Sequence, residues 1–174
     1  NAARYSYRAG ASVPRRQHGG ALLQPRQEGA QNGAFLREPD IGMFRRLWEA
    51  SGGRIKTACV APELPGAREM GLALLARGVL PSIGHSEADS EAVRAAIPCG
   101  YRHVTHLYSA MSTIVRKAGF RHAGIVESAY LYDELSSEII ADGCHLPAPL
   151  LQLAYRHIGR SGWCWSRTHA RRRT

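Results

Sequence analysis

The chain has 174 residues, enough for one domain with a real core, and a formal net charge of +9. That charge sits at the ends: residues 1–30 carry a net +4, residues 160–174 a net +5, and residues 31–159 are neutral, an arrangement without a basic folded face that argues against a nucleic-acid partner. No apolar run approaches the ~20 residues of a membrane span, no apolar signal core opens the chain, and the widely spaced Cys59, Cys99, Cys144 and Cys164, without a CxxC pair, fit a reduced, cytoplasmic protein.

Residues 1–28 show neither helical nor strand periodicity and are expected to be poorly ordered. Ile41–Ala50 places Ile41, Phe44, Leu47 and Trp48 on a helical stripe, ended by Gly52-Gly53. Residues 54–61 read as a buried strand running into Pro62-Glu63. A helix is predicted over 67–77, with Met70, Leu74 and Leu75 on one side and Gly78 as its stop. Residues 79–84 form a second predicted strand, ending at His85; Ser86 or Asp89 can cap a helix over 90–96. Residues 103–105 are a short third strand, ending at His106, and 108–119 read as a loop. Residues 137–141 are a fourth strand, followed by Asp142-Gly143-Cys144-His145. Residues 147–158 carry Leu150, Leu151, Ala154 and Ile158 on one helical face, with Gly159 as the stop.

Strands alternating with helices predict a parallel sheet with covered faces. Glu63, His85, His106 and His145 each fall just beyond the C-terminal end of a predicted strand, the edge where parallel α/β folds and (β/α)8 barrels build their sites. The separations of 22 and 21 residues between Glu63, His85 and His106 are each about one βα repeat. A carboxylate and two neutral imidazoles make a ligand set for zinc, with iron, manganese or cobalt also compatible. Such a set leaves a position open for water and points to metal-assisted hydrolysis. The alternative is that these are ordinary polar residues of loops. His145 has a similar pair of readings, a carbonyl-polarising group or a loop histidine. Arg116 and Lys117 are either anion contacts or solvated loop charges.

Four segments occur in order: Val60-Ala-Pro-Glu63-Leu-Pro-Gly-Ala67, Ile83-Gly-His85-Ser86, His103-Val-Thr-His106-Leu-Tyr-Ser-Ala-Met111 and Ile139-Ile-Ala-Asp-Gly-Cys-His145. Together they resemble the N-acetylglucosamine-6-phosphate deacetylases of the amidohydrolase superfamily, over about residues 29–159. The resemblance implies a partial (β/α)8 barrel, incomplete at both ends, and a divalent metal held by Glu63, His85 and His106. It implies that Ser109 and Ala110 line a sugar site, where many members have Asn at the first position. His145 would contact substrate near the scissile acetamide, and Arg116 or Lys117 would meet the sugar phosphate. The substrate implied is a small phosphorylated amino sugar, losing acetate from its 2-acetamido group. Full-length members are expected to be homo-oligomers. Other metal-dependent amidohydrolases, on another amide or a cyclic imide, and a non-catalytic fragment are the alternatives.

The resemblance also implies a catalytic aspartate after the next strand, in a Thr-Asp-Ala setting, acting as general base and then acid. No Asp or Glu follows Asp142, so no catalytic residue is assigned and little activity is expected of this chain alone. One explanation is that residues 1–28 and the basic residues 160–174 are translated out of frame. Trp163-Cys-Trp-Ser-Arg-Thr-His169 can be encoded so that a one-base shift reads Val-Val-Leu-Val-Thr-Asp-Ala. A shift over His18–Leu23 can likewise read Met-Glu-Gly-Pro-Tyr-Phe, like the family's Glu-Gly-Pro segment. Arginine supplies 21 of the 23 basic residues, a bias that GC-rich coding produces.

Overall fold

The structure, a computed structural model, describes residues 16–22, 38–158 and 163–166. Six strands form one parallel sheet in the order β1 (Arg16–Leu22), β2 (Ile55–Val60), β3 (Leu80–Ile83), β4 (His103–Val104), β7 (Ser136–Ile140) and β8 (Trp163–Ser166). Between β4 and β7 in the chain, β5 (Val115–Lys117) and β6 (Phe120–His122) make a separate antiparallel hairpin. The helices are α1 (Ile41–Ala50), α2 (Ala67–Leu75), α3 (Ser90–Ala96), α4 (Ile125–Leu131) and α5 (Ala148–Ile158). Among the described residues the sheet does not close into a barrel: β1 and β8 each have one neighbour. No helix there is long and apolar enough to cross a membrane.

Parallel pairing requires a crossover between strands, and α2, α3 and α5 supply it where the sequence switches from a period of two to one of 3.6. Strand alternation then splits the sheet into two chemically different faces. Ala58, Val60, Ile83, Val104 and Ile139 join Met70 and Leu74 of α2, Val93 of α3 and Ile125 of α4 in one core, all fully buried. The intervening positions Cys59, Ser82, His103, Thr105 and Glu138 carry polar groups and are buried as well. Ser82 bonds Thr105 through their hydroxyls, and His103 Nδ1 bonds Ser136 Oγ at 2.8 Å, so this second face is tied together by hydrogen bonds rather than by apolar contact.

Two close approaches fix how the helices sit. A Cβ on Gly71 would lie 2.6 Å from the Cys99 carbonyl and the Tyr101 ring, so only glycine lets α2 approach the turn that follows α3. Tyr101, fully buried, donates its hydroxyl to the Ala67 carbonyl at 2.6 Å, which ties the first turn of α2 to the entry of β4. Cys59, Cys99 and Cys144 are free thiols.

Several expectations require correction. Residues 16–22 pair with β2 although their sequence, Arg-Gln-His-Gly-Gly-Ala-Leu, has no strand pattern. A ready backbone edge on β2 offers ladder bonds to any segment, and the irregular register after Arg16 and His18 reflects the weak side-chain preference. Trp163–Ser166 lies in register with Ser137–Ile140, so a strand occupies part of the segment expected to be a tail. The remainder of residues 1–28 and 160–174 lies outside the described residues. Residues 115–117, expected in a loop, form a strand of the hairpin. On α1 the buried residue is Phe44, while Ile41 and Leu47 are more than a third exposed; on α2 Leu75 is exposed as well.

Candidate active site

Each of the four predicted site residues lies beyond a strand of the parallel sheet: Glu63 after β2, His85 after β3, His106 after β4 and His145 after β7. Their common level follows from register, because Val60 pairs with Ile83 and Ile83 with Val104. His85 and His106 are each two residues past these paired positions, and their rings meet. Nε2 faces Nε2 at 2.9 Å, with ring centroids 4.7 Å apart and nearly perpendicular planes. One nitrogen of this pair donates and the other accepts.

The backbone around the pair is held in a conformation that L-residues seldom adopt. His85 has φ 49°, His106 φ 36°, Tyr108 φ 75° and Ala110 φ 49°. The turns are secured by bonds across the two loops: Ser86 N donates to the Ala110 carbonyl at 3.2 Å and Ser112 N to the Ser86 carbonyl at 3.0 Å. Ser109 N donates to the His106 carbonyl at 2.9 Å. Ser109 and Ala110 therefore sit in the loop that packs on the residue after His85. Gly84, beside it, is narrow by necessity, since a Cβ there would lie 2.9 Å from Cys59 Sγ.

Glu63 reaches the same loop from β2. Its carboxylate accepts from Ser86 Oγ at 2.6 Å and from Glu87 N at 2.7 Å. Ser86 Oγ also accepts from Ala88 N at 3.1 Å. Ser86, predicted as one of two possible caps, thus serves Glu63, and Asp89 caps α3. Among the described residues no three His, Cys, Asp or Glu side chains lie close enough to hold a metal ion, so Glu63 does not complete a triad with the two histidines.

Burial, and then the neighbouring His85, hold the His106 imidazole below its ordinary value; the His106 and Ser109 carbonyls and the Glu138 carboxylate oppose that shift. The carbonyls lie near the ring without bonding geometry, and Nδ1 has no hydrogen-bond partner. A neutral imidazole with Nε2 presented is the form that ligates a cation. The pair presents two converging nitrogen donors, and the Glu63 carboxylate is bonded to the two residues that follow His85.

The other predicted residues are placed apart from the pair. His145 is exposed; its Nδ1 bonds Asp142 Oδ2 at 2.8 Å and its backbone N–H donates to Asp142 Oδ1 at 2.9 Å. Those contacts, led by the backbone N–H groups of His145 and Cys144, hold the Asp142 carboxyl down to about 2. Arg116 and Lys117 lie on β5, where Arg116 Nε donates to the Gly119 carbonyl at 3.3 Å and Lys117 Nζ meets Asp89 Oδ2 at 3.2 Å. Arg116 is bonded within its own hairpin, while Lys117 reaches Asp89 at the end of the loop that carries His85. Sequence reasoning passed over Glu138, a buried carboxylate within the Ser-Ser-Glu-Ile-Ile strand, and the Tyr108–Tyr130 hydroxyl bond. The first had a signal, an acid inside an apolar strand; the second had none.

No model of a protein family matches this chain. It is 33% identical over 142 residues to N-acetylglucosamine-6-phosphate deacetylase of Bacillus subtilis, covering 82% of this chain and 35% of the relative. It is 32% identical over 143 residues to the deacetylase of the same name from Lysinibacillus sphaericus, covering 82% and 36%. Among solved structures, a mutant N-acetyl-D-glucosamine-6-phosphate deacetylase from Mycobacterium smegmatis, in complex with N-acetyl-D-glucosamine-6-phosphate, superposes with a TM-score of 0.80. The two are 28% identical, and the match covers 86% of this chain and 38% of that one. The chain spans about a third of the length of the curated relatives it matches. Across most of its residues the chain is thus similar in sequence and in its sheet to a segment, about a third, of N-acetylglucosamine-6-phosphate deacetylases.

Proposed function

We propose that this chain carries the metal-binding part of a hydrolase that removes acetate from N-acetylglucosamine 6-phosphate. The observation that supports it most is the convergence of His85 Nε2 and His106 Nε2 at the C-terminal edge of a parallel sheet. In this reading Glu63, His85 and His106 hold a divalent cation, zinc before iron, manganese or cobalt. When bound, the cation would polarise the acetamide carbonyl and lower the pKa of water. Ser86 and the Glu87 N–H orient the Glu63 carboxylate toward the loop that carries His85. The left-handed turns at His85 and His106 aim both rings at one point. His145, steadied by Asp142, stands on the same edge for the substrate acetamide, and Ser109-Ala110 for the sugar. Arg116 and Lys117, on the exposed hairpin, are assigned to the phosphate. The substrate is a phosphorylated amino sugar, the setting cytoplasmic, and the whole protein a homo-oligomer.

No acid follows Asp142 in this sequence, so the general base is not among the residues assigned. The expected result is binding without turnover. Calorimetric titration of Zn2+ into the chain should show one site, abolished in His106→Ala and weakened in Glu63→Gln. Acetate release from N-acetylglucosamine 6-phosphate by the same preparation should stay at background. Equal Zn2+ binding by wild type and His106→Ala would remove the metal assignment.

A further inference from the structure

Glu138 is a carboxylate in the middle of a parallel sheet, 7% exposed, on the polar face opposite the helices. Its Oε2 has no hydrogen-bond partner. Among the described residues only three other buried side-chain polar atoms share that condition: Trp48 Nε1, Ser137 Oγ and His106 Nδ1. Trp48 is on α1, and Ser137 precedes Glu138 in its strand and so turns to the opposite face. His106 remains, and a backbone bond brings the turn that carries it to Glu138. The Leu107 N–H donates to the Glu138 carbonyl at 2.8 Å, so the strand position of Glu138 is level with the turn carrying His106. His103, the other imidazole on this face, already has its Nδ1 on Ser136 Oγ.

The two unpartnered atoms are chemically complementary. A carboxylate only accepts, and an imidazole nitrogen carrying hydrogen donates. We propose that Glu138 is a positioning residue for His106, its carboxylate taking the hydrogen bond of Nδ1–H and thereby keeping the Nε2 lone pair turned toward His85. The consequence for the pair is specific. With the proton on Nδ1, His106 Nε2 is the acceptor of the 2.9 Å contact and His85 Nε2 the donor. A cation replacing that contact meets a lone pair already presented on His106, in a ring fixed from behind. Imidazole ligands are oriented by such partners in general, and losing the partner weakens metal binding. Glu138 does not itself touch the cation or the substrate.

The bearing on metal rests on the deacetylase reading above; the tautomer does not. The test uses the full chain, without metal first, and follows the imidazole nitrogens by long-range proton–nitrogen correlation in wild type, Glu138→Gln and Glu138→Leu. Wild type should show His106 as the Nδ1–H tautomer. Glu138→Gln keeps the volume and an acceptor but loses the charge, so the Nδ1 proton should move upfield with the tautomer retained. Glu138→Leu should populate both tautomers. An Nδ1 resonance unchanged in Glu138→Gln overturns the proposal even if Glu138→Leu does not fold. Visible-absorption titration with Co2+ then reads the ligand pair: a loss of affinity of about tenfold or more in Glu138→Gln is expected, and equal affinity overturns the link from Glu138 to the ligands. A wild-type chain that binds no Co2+ removes the metal reading alone and leaves the tautomer result standing.

Discussion

His85, His106, Tyr108 and Ala110 all hold positive φ, a region that costs a non-glycine residue about 1–3 kcal/mol. Among the described non-glycine residues only Ala118, on the hairpin, shares it outside this cluster. Strain concentrated in this way persists only where surrounding contacts over-determine it, and Gly124 shows how tightly they do. A Cβ at Gly124 would lie 2.7 Å from the Ser112 carbonyl carbon and from the Thr113 oxygen, both backbone atoms. Ser112 is bonded through its N–H to the Ser86 carbonyl, and Ser86 holds Glu63. Displacing residues 112–113 therefore disturbs the loop that carries the site. Gly124→Ala is expected to destabilise the chain by about 1–3 kcal/mol, the usual range for overpacking, read as a lower urea midpoint. It should also broaden the His85 and His106 ring signals. A midpoint equal to wild type would mean that the loop yields without cost.

At the scale of elements, α3 is a short helix with an aspartate side chain at its N-cap. Asp89 accepts from Ala92 N at 3.0 Å and also meets Lys117, which joins the hairpin to the helix. The Ala92 N–H, more than Lys117, lowers the Asp89 carboxyl below its ordinary value. A lowered folded value gives stability that is complete above the unfolded value of 3.8 and fades as pH falls through the folded one. Asp89→Ala is expected to cost about 1 kcal/mol at pH 7, most of it from the cap because the Lys117 pair is largely solvated. The difference from wild type should close below both values; urea denaturation at neutral and strongly acidic pH measures it. A penalty that persists in acid would assign the effect to packing instead. Elements of this kind were legible in the sequence: the helices over residues 41–50, 90–96 and 148–158 and the strand ends at Glu63, His85 and His106 follow from periodicity and stop signals. The hairpin was not, because three-residue exposed strands carry no pattern. The exposure of Leu75 was not either, since an apolar residue at a core-compatible spacing says nothing about whether a neighbour arrives to cover it. Nor did spacing reveal that Glu63 bonds Ser86 and Glu87 while the two imidazoles bond each other. That depends on turn geometry at His85 and His106, which no residue type announces.

For the molecule as a whole, the open question of cohesion lies at the two outer strands. Among the described residues β1 pairs only with β2 and β8 only with β7, and an unpaired strand edge is a template for another chain. Against this acts the net charge of +9, which repels copies at low ionic strength, the more so because the charge lies in the segments flanking the neutral residues 31–159. Charge repulsion is screened within about 10 Å at 0.1 M salt, whereas backbone pairing is not. The two effects therefore separate with salt. Sedimentation velocity at rising concentration should show a mostly monomeric chain in dilute buffer and progressively larger species as salt is raised. If salt instead dissolves the assemblies, ion pairs rather than strand edges hold them. A single monomeric species at every salt and concentration would mean that neither edge recruits a second chain.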